Sequence, residues 1–171
     1  MKDFLTLAAQ RYSVRKFTGE PVSDEHLSLI LKAGHLAPTA CNNQPQKLLV
    51  IRSREALDKL YLCTRCHFNC PTAIIICNDS TRSWTRKTDG KSSGDVDTSI
   101  VTTHMMMEAA DLGVGTCWLM LFKPDVVRAE FNLPDHLEPV SILVMGYPAE
   151  DAEVNPLHNQ FRPEEDIVTY L

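Results

Sequence analysis

Residues 95–112 read Asp95-Val-Asp-Thr-Ser-Ile-Val-Thr-Thr-His-Met-Met-Met-Glu-Ala-Ala-Asp-Leu112, and this stretch decides the fold. It predicts a helix with apolar or small residues around most of its circumference, among them Ile100, Val101, Met105, Met106, Met107, Ala109, Ala110 and Leu112. Such a helix has to be covered on nearly all sides. The chain has 171 residues, about the length of one domain, so a second copy is the simplest cover for the extra face.

Downstream, Gly113-Val-Gly115 ends the helix, Thr116–Phe122 reads as a strand, Pro124–Phe131 as a short helix, and Val140–Met145 as a strand stopped by Gly146-Tyr147-Pro148. Upstream, Ala73-Ile-Ile-Ile-Cys77 is continuously apolar, the pattern of a strand covered on both faces. The polar residues 78–94 form a loop long enough to be functional. Lys47–Ile51 reads as a strand and Ser53–Leu62 as a helix. Pro21-Val-Ser-Asp-Glu25 is a helix start, with Ser23 as cap and two acids at the positive end of the dipole. Leu27, Ile30, Leu31 and Gly34 then recur at helical spacing until Pro38, and Phe4–Ala9 carries a shorter apolar face. Helices and strands interleave without a strict βαβ repeat. That predicts an α+β domain spanning 1–171, with a mostly antiparallel sheet flanked by helices. The tail, 151–171, lacks a core pattern and is expected to wrap another surface.

Composition narrows the function. A net charge of −5 argues against nucleic acid or an anionic membrane as partner. No apolar run approaches the roughly 18 residues a spanning helix needs. The start lacks a secretory apolar region, so a cytoplasmic enzyme with reduced cysteines is expected.

Two segments can carry chemistry. Arg11-Tyr12-Ser13-Val14-Arg15, if extended, puts Arg11, Ser13 and Arg15 on one side. Two guanidiniums and a hydroxyl there suit a phosphate monoester, although two arginines alone fit a solvated turn equally well. Ala37-Pro38-Thr39-Ala40-Cys41-Asn42-Asn43-Gln44-Pro45 is loaded with amides, which offer the donor–acceptor pairs that a heterocycle requires. A plain turn would have the same residues.

In this order, together with Gly113-Val-Gly-Thr-Cys-Trp118 and Met145-Gly-Tyr-Pro148, these segments resemble the nitroreductase family over nearly the whole chain. The resemblance implies an intertwined homodimer with FMN at the subunit interface. It implies that Arg11, Ser13 and Arg15, with Tyr12 in the same segment, hold the FMN phosphate. It places Pro38, Thr39, Ala40 and Asn42, extended by Gln44, along the flavin bound to the other subunit. Gly115 and Thr116 would approach the isoalloxazine, and Arg162 would be a further phosphate cation. NADH or NADPH would reduce the flavin, and a small planar acceptor, such as a nitroaromatic or quinone, would reoxidise it in a ping-pong cycle. Chemistry would reside in the cofactor, with no catalytic side chain and no metal. Two departures bear on substrate. Gln46 stands where many relatives have Trp, and there is less chain between Ile76 and Ile100 to form a lid.

Rival readings remain at this level. Reductive dehalogenation and flavin fragmentation use the same scaffold. A non-catalytic flavin protein, or a zinc protein using Cys63, Cys66 and Cys70, is a further alternative. The Cys63-Thr-Arg-Cys66-His67 pattern also matches a haem attachment motif, but packed or free thiols are the plainer reading.

Overall fold

The computed structural model describes residues 3–171. Helix α1 (Phe4–Gln10) starts where the Asp3 carboxylate accepts the Thr6 N–H at 3.0 Å. Helix α2 (Asp24–Leu36) starts at Ser23, whose hydroxyl accepts the His26 N–H at 3.2 Å. It ends at extended Ala37, the conformation that Pro38 imposes on its predecessor. Strand β1 (Gln46–Ile51) leads into α3 (Arg54–Cys63), capped by Ser53. Then follow β2 (Thr72–Asp79), α4 (Gly94–Asp111), β3 (Gly115–Leu119), α5 (Pro124–Glu130) and β4 (Leu137–Gly146).

The sheet order is β1-β2-β4-β3, antiparallel throughout. The expected α+β architecture is therefore present. Strand β2 explains its own sequence. Ala73, Ile75 and Cys77 enter one core beneath α3 and α5, with Leu60 and Val127. Ile74 and Ile76 enter the other beneath α2 and α4, with Ile30, Val101 and Met105. Alternation with both faces covered produces an unbroken apolar run.

Two expectations need correction. Strand β3 stops at Leu119 rather than Phe122, and Met120 and Leu121 are 68% and 72% exposed. Their segment turns away because the Thr64 hydroxyl donates to the Leu121 carbonyl (2.6 Å) and the Lys123 N–H donates to the Cys63 carbonyl (2.8 Å). Strand β4 begins at Leu137, before Val140. Within one chain α4 is buried on one side only: Asp97, Val101, Met105 and Ala109 face inward, whereas Val96 is 54% exposed and Thr103 and His104 are open.

The tail from 151 carries two short 3₁₀ turns (Pro156–Asn159 and Glu164–Asp166) and no buried residue. His158 ties it to the Ala9 carbonyl at 3.0 Å. Among the described residues no helix is long and apolar enough to cross a membrane.

Leu60 is fully buried between α3 and the sheet. Leu60→Ala is expected to cost about 2–5 kcal/mol, read as a lower urea midpoint with an unchanged m-value. A loss below about 1 kcal/mol would mean that this core is loosely packed.

Candidate functional site

The arginine segment is extended, as its sequence requires. After α1 the chain runs beside β3: Ser13 forms a parallel bridge with Thr116, and the Val14 N–H donates to the Thr116 carbonyl at 2.9 Å. Two glycines make this approach possible. Gly113 adopts φ +75 and turns the chain out of α4. At Gly115, a Cβ would lie 2.7 Å from Val14 Cγ2, so only glycine lets the two backbones meet.

With Val14 buried against Gly115, Arg11, Ser13 and Arg15 fall on the opposite side, within electrostatic reach of Cys117. Burial pushes the Cys117 thiol above its usual range; Arg15, the Ser13 side chain and Arg11 pull against that rise, and Cys66 adds to it. Arg15 spends one Nη1 donor on the Ser13 carbonyl at 3.1 Å. Among the described residues neither Arg11 nor Arg15 has a carboxylate partner, whereas the adjacent Lys16 is paired with Asp151. Two guanidiniums with donors to spare, with a hydroxyl in the same segment, are the chemistry a phosphate dianion needs. A cavity of about 130 Å³ opens on the Tyr12 and Val14 face of this segment, lined by Arg11, Gly115 and Thr116 but by neither Ser13 nor Arg15.

The amide loop lies elsewhere. Its 3₁₀ turn (Ala40–Asn42) is closed by Asn42 N–H to Thr39 carbonyl (2.9 Å) and Asn43 N–H to Ala40 carbonyl (3.0 Å). The Thr39 hydroxyl accepts the Gln44 N–H at 3.0 Å. Cys41, Asn42 and Gln44 have φ of 51, 54 and 50, a left-handed conformation that costs a non-glycine residue about 1–2 kcal/mol. The loop is fixed from beneath by Asp97, whose Oδ1 accepts the Ala40 N–H at 2.9 Å. Ala40 therefore has no free backbone donor to offer a ligand. Among the described residues the Asn42 carboxamide has no partner and remains available.

Helix α4 separates these halves. Asp97 anchors the loop at its first turns, and Gly113–Thr116 leads from its last turn into the clamp. With 18 residues the helix is about 27 Å long. One chain therefore brings Arg11, Tyr12, Ser13, Arg15, Gly115 and Thr116 together at one end, and Pro38, Thr39, Ala40, Asn42 and Gln44 at the other. Arg162 joins neither group: it donates to the Asp166 carbonyl within the exposed tail at 3.1 Å.

A family model described as the nitroreductase family matches residues 8–68 and 66–147. The chain belongs to that family. A nitroreductase family protein from Clostridium difficile 630 is 42% identical and superposes with a TM-score of 0.93 over 99% of this chain and 98% of its own. An FMN-dependent nitroreductase from Clostridium difficile R20291 is 25% identical, with a TM-score of 0.80 over 98% of each chain. An FMN reductase (NAD(P)H) from Bacillus subtilis strain 168 is 25% identical over 174 residues, covering 91% of this chain and 70% of that protein.

Sequence reasoning missed the hold of Asp97 on the amide loop, because an acid in the first turn of a helix reads as a complement to the dipole. Cys117, read from the sequence as a small core or site residue, is buried in β3 within electrostatic reach of Arg11 and Arg15. The clustered cysteines do not form a metal centre: among the described residues no three His, Cys, Asp or Glu side chains are arranged to hold an ion. The Cys63 thiol donates to the Lys59 carbonyl at 3.3 Å, and burial pushes its pKa up to about 11. Burial pushes Cys70 up to about 12 and Cys77 to about 11.

Thiol titration checks this. Cys41 is exposed and Cys66 half-buried, while Cys63, Cys70, Cys77 and Cys117 are buried. At pH 8 an aromatic disulfide reagent is expected to label at most Cys41 and Cys66 before unfolding. Labelling of Cys70 in the native protein would contradict the packing. The sign for stability follows: an unfolded cysteine ionises near 9.0, native Cys70 only near 12. This contribution is therefore complete below pH 9 and is lost as pH rises from 9 towards 12.

Proposed function

We propose that this chain is an FMN-dependent oxidoreductase that uses NADH or NADPH to reduce a small planar acceptor, a nitroaromatic or quinone, and that it works as a homodimer. The carrying observation is the pair of guanidiniums at Arg11 and Arg15, without an ion-pair partner among the described residues, in the same extended segment as the Ser13 hydroxyl. Family membership supports the activity class, and the donor set fits a phosphate monoester.

Arg11, Ser13 and Arg15 would hold the phosphate. Gly115 and Thr116 present a side-chain-poor edge beside them, where a flat ring system can approach the backbone. The amide loop would lie against the flavin held by the other subunit: Asn42 offers a free carboxamide as donor and acceptor, Thr39 a hydroxyl proton, and Pro38 and Gln44 frame the turn. Bound FMN supplies the hydride-accepting and electron-donating chemistry. Around it the protein's work is to bind, orient and exclude water. The nicotinamide and the acceptor would use one site in turn.

Length supports the dimer. Clamp and loop sit at opposite ends of α4, so one chain cannot close both on one cofactor. Two copies with their α4 helices antiparallel bring each clamp to the other copy's loop. Val96, Ile100, Thr103 and Met107 form a stripe on the outer side of α4 at helical spacing, exposed or half-buried in one chain. In this arrangement the tail from 151 would wrap the partner.

Purified protein is expected to be yellow, or to turn yellow with added FMN, and to oxidise NADH or NADPH with a quinone or nitroaromatic present. A colourless protein indifferent to FMN would end this reading. Arg15→Ala is expected to weaken FMN binding by about 1.5–3 kcal/mol, measured by flavin fluorescence quenching. Thr103→Lys, at the centre of the stripe, is expected to give monomers by sedimentation and to abolish tight FMN binding. A monomer that still binds FMN tightly would remove the case for a shared site.

A further inference from the structure

Asp97 is only 2% exposed, and a buried carboxylate is tolerated only with partners that satisfy it. Oδ2 accepts the Ser93 hydroxyl at 2.7 Å, and Oδ1 accepts the Ala40 N–H at 2.9 Å. Ser93 occupies the N-cap position of α4, yet its side chain makes no capping bond. Its hydroxyl is turned to Asp97, so the helix gives up the ordinary use of its cap residue in favour of this carboxylate. Outside α4 and its cap, the partner of Asp97 is a single backbone N–H in the amide loop.

That N–H is where the loop most needs a hold. The bonds among Thr39, Ala40, Asn42, Asn43 and Gln44 shape the turn internally but do not orient it on the fold. Three left-handed residues, Cys41, Asn42 and Gln44, follow within four positions of Ala40, and such backbone persists only where its surroundings over-determine it. The other ties are at the far end, Asp79 N–H to the Pro45 carbonyl (2.7 Å), and at the surface, Arg82 Nε to the Asn43 carbonyl (3.5 Å).

We infer that Asp97 is the positioning residue of the amide loop. By fixing the Ala40 N–H, its carboxylate sets the direction in which Thr39 and Asn42 face the flavin. The flavin part of this assignment rests on the function proposed above; the hold on the loop does not.

Two measurements on the full chain separate these parts. The first is hydrogen exchange of the Ala40 amide, by NMR, without FMN. Asp97→Ala is expected to speed it about tenfold or more, while Asp97→Asn leaves it within about threefold, because an Asn Oδ1 still accepts the Ala40 N–H and its Nδ2 can donate to Ser93. The second is FMN affinity together with the visible circular dichroism of bound FMN. D97A is expected to weaken binding about tenfold and alter the dichroism, and D97N to restore both. Val127→Ala, in the opposite core, controls for general destabilisation and is expected to leave affinity and dichroism unchanged. Should D97A not fold, Asp97→Ser takes its place, since serine is too short to reach Ala40.

Unchanged Ala40 exchange in D97A overturns the inference. So does an affinity loss no greater than that of V127A, or a D97N variant as impaired as D97A. If the unsubstituted protein binds no FMN, the proposed function fails, and the exchange result alone still decides whether Asp97 holds the loop.

Discussion

Helix α4 is a strut of about 27 Å with the arginine segment at one end and the amide loop at the other, and its packing positions both. Its inner face packs through Val101, Met105 and Ala109 against α2 and the sheet. That packing fixes both ends at once, because Gly113 carries the chain directly into β3 and Asp97 binds the loop before β1. A shift of α4 along its axis would move clamp and loop together, a constraint that suits a cofactor site assembled between two copies.

Both ends are held by specific contacts. At the clamp end the backbones of Val14 and Thr116 come within a hydrogen bond only because residue 115 has no side chain. The extended segment then has its alternation imposed, with Val14 inward and the two arginines outward. Among the described residues neither arginine forms an ion pair, although Lys16, one residue beyond Arg15, has Asp151. Paired charges on a surface contribute little to stability, so leaving two guanidiniums unpaired costs the fold little and leaves their donors for a ligand. At the loop end the situation is reversed: three left-handed residues destabilise the apo chain, and a buried carboxylate offsets them by fixing one N–H.

Much of this was legible in the sequence, for reasons that differ from element to element. Ser23 and Ser53 announced α2 and α3 because capping is local chemistry. The run 73–77 announced a doubly covered strand because burial on two faces removes alternation. The arginine segment was readable once extended geometry was assumed. The end of β3 was not legible, since Met120 and Leu121 have strand-compatible side chains. What stops the strand is a tertiary grip by Thr64 and Cys63 on the following turn. Asp97 was hidden for a related reason: its role depends on a loop more than fifty positions earlier in the chain.

The cysteines show how pattern and chemistry part company. Spacing alone allows Cys63, Cys66 and Cys70 to be ligands, but among the described residues no three such side chains are arranged to hold an ion. Burial of Cys63 and Cys70 raises their pKa to about 11 and about 12, which makes the thiolate costly at neutral pH. Cys63 even donates its proton to the Lys59 carbonyl, as a satisfied core residue does. Small size and low polarity are what these positions use, filling the layer beneath α3 and α5. Cys117 takes this furthest: it lies within electrostatic reach of two arginines and a serine, which favour a thiolate, yet burial outweighs them and its pKa still rises. The clamp therefore rests on a protonated, uncharged thiol, and the positive charge of Arg11 and Arg15 stays uncompensated from below.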